Sequence, residues 1–287
     1  MRSWTHVSCL ALASVWLACG SPPQEPVAEV SIDQEQLVLP YGHSRAFELR
    51  WKMLAPLEGI NGDPLVFLHL LDDEGEVALT LDHPFPSSWQ PGETVTDPLR
   101  FYHSFLAEAL PAGDYRLTVG LYRGSHRFTL LGGVEVARQE YEIGQVVIPS
   151  SAEAPAYTFS ETWGDVQLGS DRQVFGRRWL RDDGSMEVTR LSNPGQLWMS
   201  VRLPWAEEGQ ELVLEEGEHS PWLRLTNSCG EGQAEAVGPG THGVSLELPA
   251  SEGPCVVHFD TNFQLVDRRR ALRSSIILEQ LAWEQDL

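Results

Sequence analysis

Apolar residues recur at every second position along most of this chain, and that alternation limits its fold more than any other feature. Between Arg45 and Met53, Phe47, Leu49, Trp51 and Met53 fall on one side of an extended backbone while Glu48, Arg50 and Lys52 fall on the other, as in a strand with one dry and one wet face. Leu65 to Leu71 is apolar on both faces, Asp72-Asp73-Glu74-Gly75 supplies turn chemistry, and Val77, Leu79 and Leu81 then alternate with Ala78 and Thr80, so the stretch reads as a hairpin. Its acidic tip lacks the spacing of a helical calcium loop and is read as a turn. Pro111-Ala112-Gly113-Asp114 is a second turn, followed by a strand containing Tyr115, Leu117, Val119 and Leu121. Ser104 to Leu110 is the only helix-like piece, too short to form a layer.

Pro149 to Ala156 interrupts the pattern and marks a linker. Strand signals resume at Met186 to Leu191, Leu197 to Leu203, Leu212 to Leu214, Trp222 to Thr226, Val244 to Leu248, Val256 to Phe259 and Ser275 to Trp283. Short strands broken by Pro and Gly, with no amphipathic helix between them, predict an all-β chain. We expect two β-sandwich domains: an immunoglobulin- or fibronectin-like one over residues 30–148, and a jelly-roll or similar double sheet over residues 157–287.

The first residues decide the compartment. Met1-Arg2-Ser3 carries positive charge, and Val7 to Ala18 is a short apolar stretch, which is the shape of a signal peptide; spanning a bilayer takes about 20 apolar residues. Leu17-Ala18-Cys19-Gly20 resembles the bacterial lipobox, in which the cysteine is lipid-modified and the peptide is cut before it. Trp16 stands where that family usually has Leu, and the competing reading is ordinary secretory cleavage with Cys19 left as a free thiol. On the lipoprotein reading, residues 1–18 are the signal peptide. Residues 19–29 are then a tether, whose Ser21-Pro22-Pro23-Gln24-Glu25-Pro26 favours extended polyproline geometry. Gly20 after the cysteine, rather than Asp, implies the outer rather than the inner membrane by the same resemblance.

Cleavage at that site leaves 287 − 18 = 269 residues, comfortable for two domains. The net charge of −21 disfavours binding to nucleic acid or to an anionic membrane surface by counterion release. Beyond Cys9 and Cys19, the remaining cysteines are Cys229 and Cys255, which read as a disulfide in an oxidising compartment. A metal or thiol role is the rival, with only His258 near Cys255 at ligand spacing.

Phe67-Leu68-His69-Leu70-Leu71-Asp72-Asp73-Glu74-Gly75, Asp82, Trp89-Gln90-Pro91-Gly92-Glu93, Asp97, Leu110-Pro111-Ala112-Gly113-Asp114-Tyr115 and Gly120-Leu121-Tyr122 together resemble a β-sandwich module appended to bacterial membrane glycosyltransferases and other envelope glycan proteins. Phe159-Ser160-Glu161-Thr162-Trp163, Gly176-Arg177-Arg178-Trp179 and Asp267-Arg268-Arg269-Arg270-Ala271-Leu272 are similar, on scattered anchors, to a galactose-binding-like sandwich that accompanies it. Gln167 stands where those relatives often place glutamate. The resemblance implies an envelope protein that binds a glycan or a glycan-processing partner, attached to the membrane by its lipid.

Sugar rings stack on flat aromatic faces beside hydrogen-bonding side chains. Trp198 and Arg202 share the polar face of one strand, and Trp222 and Arg224 that of another. These four are the candidate glycan-binding residues, on a shallow platform made by both strands; the competing reading has the faces covered by a loop or the neighbouring domain, with Arg stacked on Trp as packing. His69, Asp82, His83 and Asp97 form a weaker metal or acid/base candidate, against which a mid-strand histidine satisfied by a hydrogen bond and aspartates capping turns are the plainer account. Glu207-Glu208, Glu211, Glu215-Glu216 and Glu218 balance Arg268 to Arg270 and Arg273 as solvated loops with surface ion pairs. No nucleophile elbow, phosphate-cradling glycine loop or zinc helix occurs, so no catalytic residue, metal or cofactor is assigned. A structural subunit of an envelope complex is the second reading and a hydrolase of unfamiliar geometry the third.

Overall fold

The computed structural model describes residues 24–57, 62–150, 155–168, 176–181, 183–206, 210–267 and 272–284. The expected signal peptide, Cys19 and residues 20–23 of the expected tether lie outside them. The described residues contain no helix. The first half forms β1 (Ala28–Ile32), β2 (Gln36–Val38), β3 (Ser44–Met53), β4 (Leu65–Leu71), β5 (Val77–Thr80), β6 (His83–Pro84), β7 (Thr94–Tyr102), β8 (Gly113–Arg123), β9 (His126–Phe128), β10 (Leu130–Leu131), β11 (Val134–Ala137) and β12 (Glu140–Ile148). The second half forms β13 (Ala156–Phe159), β14 (Gln167–Leu168), β15 (Gly176–Trp179), β16 (Gly184–Thr189), β17 (Gly195–Leu203), β18 (Gln210–Leu214), β19 (Trp222–Asn227), β20 (Gln233–Val237), β21 (Gly240–Leu248), β22 (Cys255–Thr261), β23 (Phe263–Asp267), β24 (Leu272–Ser274) and β25 (Ile277–Glu284).

Period two becomes two faces in each sheet. In the first half the sheet β10-β1-β3-β7 lies against a larger one ordered β11-β12-β8-β4-β5. Phe47, Leu49, Trp51 and Met53 from the former meet Val66, Leu68, Leu70, Leu117, Val119 and Leu121 from the latter in one buried core. Burying each such side chain contributes about 1.5–3 kcal/mol against chain entropy. The second half repeats the plan with sheets β13-β16-β22-β19-β20 and β14-β15-β25-β17-β21, enclosing a second core that includes Leu197, Met199, Val201, Leu203, Val257 and Phe259. A small sheet, β18-β23-β24, supplies Leu212, Leu214 and Phe263 to that core.

The hairpin β4–β5 turns at Asp72 to Gly75, where Asp72 Oδ1 accepts the backbone N–H of Glu74 and Glu76 and Gly75 takes φ 82°. Cys229 and Cys255 form a disulfide with Cα atoms 5.5 Å apart, beside the Asn227↔Val257 pair of β19 and β22. Ser104 to Leu110 is not helical. It is the joint of the molecule: Phe105 N–H donates to Leu281 O (2.8 Å), Leu281 N–H to Ser104 Oγ (3.1 Å), and Leu106 is buried within the second core. Trp283 N–H donates to Gly42 O (2.7 Å), and His43 bridges Trp283 in parallel. The segment is too rich in inter-sheet contacts to close its own helical bonds. Two other expected boundaries also move: residues 28 and 29 of the tether belong to β1, and Ala156 of the linker to β13, because each pairs with a neighbouring strand.

Candidate functional site

Phe67, His69 and Leu71 of β4 point away from the core that Val66, Leu68 and Leu70 fill. A concavity of about 240 Å³ opens over them, lined by Phe67, His69, Asp82, Tyr122, Gly124, Ser125 and Arg127. Its floor is made by register: Phe67 faces Gly120 across β4 and β8, and a methyl group on Gly120 would collide with the Phe67 ring. Arg127 of β9 holds its guanidinium 4.5 Å above that ring.

Behind the floor sits Glu140, only 6% exposed. Its carboxylate accepts Nδ1–H of His69 at 2.9 Å and the Thr118 hydroxyl at 2.7 Å, with Arg127 Nη1 3.7 Å away. Burial pushes this carboxyl up, but the hydrogen bonds from His69 and Thr118 and the charges of His69 and Arg127 outweigh it and hold it below the ordinary carboxylate value. Because a carboxylate only accepts, the contact fixes the proton on Nδ1 and leaves Nε2 as the ring's other nitrogen, with no hydrogen bond among the described residues. The Tyr122 hydroxyl lies 3.5 Å from Asp82 Oδ2 at the rim. Asp82 also lines a neighbouring hollow of about 270 Å³ that reaches Arg100 and Gln280 at the joint.

His69, Asp82, His83 and Asp97 are not one cluster. His83 Nε2 instead meets buried Asp97 at 2.9 Å, linking β6 of one sheet to β7 of the other and closing the sandwich edge. Among the described residues no three His, Cys, Asp or Glu side chains converge as metal ligands.

The Trp and Arg candidates separate as well. β17 and β19 belong to different sheets of the second sandwich, so their outer faces point away from each other and no common platform forms. Trp198 lies under Arg100 of the first sandwich, whose guanidinium stands 3.6 Å from the ring centre and pairs with Glu284 at 2.6 Å. Its indole nitrogen is buried without a partner. Arg202 pairs with Glu279, which Arg177 also approaches at 3.8 Å. Trp222 is half-buried, with Arg224 5.0 Å from its ring centre and 3.7 Å from Glu235. Gln167 accepts the Trp179 indole N–H at 3.3 Å. Within the acidic stretch, residues 207–209 and 268–271 lie outside the described set, while Glu211 sits opposite Val266 in the β18–β23 ladder.

A larger hollow of about 1160 Å³ lies between Phe105, Pro155, Thr189 to Ser192 and Ala250 to Glu252. Its lining includes Thr189, Arg190, Ser192, Ser251 and Glu252, with no carboxylate-fixed histidine among them. The smaller concavity is chemically the better site.

No family model matches the chain, and no curated protein does. Among the solved structures to which the chain is similar are a marsupial T cell receptor, at 11% identity and a TM-score of 0.25 over 91% of this chain and 99% of that one, and a chain described as pT26-6p, at 7% and 0.22 over 90% of this chain and 65% of that one. Scores this low carry no statement about ligand or activity.

Glu140, Thr118 and Arg127 were not singled out in the sequence, and Tyr122 stood there only within the Gly120-Leu121-Tyr122 stretch of the resemblance. Glu140 lies 71 residues from His69, and no local spacing marks so distant a pair. The one available signal was His69 itself, a polar residue in an otherwise apolar strand.

Proposed function

We propose that this chain is a non-catalytic, lipid-anchored protein of the bacterial cell envelope that binds a glycan through the outer face of its first sandwich. The carrying observation is His69: Glu140 fixes its tautomer, and the residue joins Asp82, Tyr122, Ser125 and Arg127 around an open concavity. Preset donors and acceptors beside an aromatic ring suit the hydroxyl groups of a sugar. Cys19 supplies the anchor in this reading, and the two sandwiches are of immunoglobulin-like and jelly-roll type.

The test is a screen of envelope polysaccharides followed by titration calorimetry. Tyr122→Ala and Asp82→Asn should each weaken binding about tenfold or more, each removing a contact worth about 1.5 kcal/mol. Trp222→Ala should leave it unchanged. Loss on Trp222→Ala with no effect at Tyr122 would move the site to the second sandwich. A wild-type chain that binds none of the polysaccharides contradicts the reading.

A structural subunit role is favoured by one observation: Leu131 of β10 and Val134 of β11, each on an edge strand of the first sandwich, stand 46% and 70% exposed. An apolar edge of this kind is a ready contact for another protein.

A further inference from the structure

Two buried histidines sit in the joint between the sandwiches. His103, 3% exposed, accepts the backbone N–H of Leu110 on Nε2 at 2.8 Å, and its Nδ1–H donates to Leu39 O at 3.3 Å. Only the neutral ring can do both, because a protonated imidazole has no acceptor. His43, 6% exposed, donates from Nδ1 to Tyr41 O at 3.0 Å, and its backbone bridges Trp283 of the second sandwich. The backbones of the two histidine segments are tied, with His103 N–H donating to His43 O (2.9 Å) and Gly42 N–H to His103 O (2.8 Å).

The loop that starts at His103 is what enters the second sandwich. Tyr41, edge-on to the His103 ring at 5.1 Å, donates its hydroxyl to the carbonyls of Phe105 and Ala107. Phe105 packs on Tyr157 at 4.7 Å, and Leu106 lies in the second core against Gly176. We propose that this joint is acid-labile: closed while His103 and His43 are neutral, and released when they take up protons, which withdraws Phe105 and Leu106 from the second sandwich.

Burial disfavours a proton on either ring and outweighs the backbone carbonyls of Tyr41, Leu39 and Pro40, which favour one. His103 and His43 oppose each other's charge, and Arg45 opposes that of His43. Across the joint Arg100 and Glu284 are paired with one another, and the phenols of Tyr41 and Tyr102 stay neutral, burial raising both. Among the described residues no carboxylate acts on either imidazole. Burial holds both histidines below the ordinary imidazole value, so the opened joint binds protons that the closed one does not. Opening is therefore favoured as pH falls below about 6.5, by up to about tenfold per pH unit for each histidine.

Hydrogen exchange of the full chain, corrected for intrinsic rates and compared between about pH 7.5 and about pH 5, reads this directly. The Phe105, Leu110, Leu281 and Trp283 amides should lose about tenfold or more of their protection at the lower pH, while Leu68 and Val119 keep theirs. His103→Gln, which stays neutral and presents an acceptor to Leu110, should reduce the change at least about threefold, leaving only the share of His43. Equal protection at both values, simultaneous loss at Leu68 and Val119, or an undiminished effect in His103→Gln overturns the proposal. Should that variant already be open at neutral pH, the ring resonances of wild-type His103 decide: titration together with amide opening supports the proposal, and a ring still neutral when the joint opens overturns it.

Discussion

At the scale of single residues, Arg100 and Glu140 do the most. Arg100 lies over Trp198, pairs with Glu284 and donates to Ser44 Oγ at 3.1 Å, so one side chain from β7 seals the second sandwich against the first. Arg100→Ala should destabilise the chain by about 2 kcal/mol, because it removes a desolvated cation–π contact and leaves a half-buried carboxylate without its partner. Tryptophan emission should shift to the red as Trp198 gains water; an unchanged spectrum and melting curve would show the contact to be incidental. Glu140 adds a pH signature. Its carboxyl is held below the ordinary value in the folded chain, so its contribution is present above the ordinary carboxylate range and disappears as pH falls through the lowered value. Glu140→Gln should flatten that acid limb of the stability curve and weaken glycan binding, by releasing the His69 ring; denaturant titrations at several pH values would show it.

At the scale of elements, the strands that alternate cleanly were legible and those defined by pairing were not. Ser44–Met53, Leu197 to Leu203 and Trp222 to Thr226 fall where periodicity places them, since a half-buried strand writes its two faces into its sequence. Thr94–Tyr102 carries Pro98 and buries Asp97, so its edge position in the sheet is invisible until His83 is seen across from it. The candidate binding residues fail to meet for a related reason: alternation assigns Trp198 and Trp222 to outer faces but says nothing of which sheet each strand joins. The Cys229–Cys255 link, by contrast, was readable from compartment and count alone. It closes a separation of 26 residues, and reducing it should lower the unfolding free energy by about 3 kcal/mol in the chain-entropy picture. Urea titration with and without a reductant measures this, and coincident curves would mean the cysteines contribute nothing to stability.

At the scale of the whole molecule, the two cores are joined by a loop that belongs to the first sandwich in sequence and partly to the second in space. Leu106 is 3% exposed and packed in the second core, so Leu106→Ala should cost about 2–4 kcal/mol. It should also separate one cooperative unfolding transition into two, as calorimetry would register; a single unsplit transition would show that the sandwiches are coupled elsewhere. With the joint closed, the concavity on β4 and β8 and the hollow beside Arg100 meet at Asp82, which places ligand and joint within reach of each other. The most direct test of the account is a crystal structure of the chain with an envelope oligosaccharide bound. The account requires the sugar ring to lie over the first sandwich, with Tyr122 against its face and a hydroxyl on His69 Nε2. A sugar seated on Trp222, with the concavity at His69 empty, would contradict it.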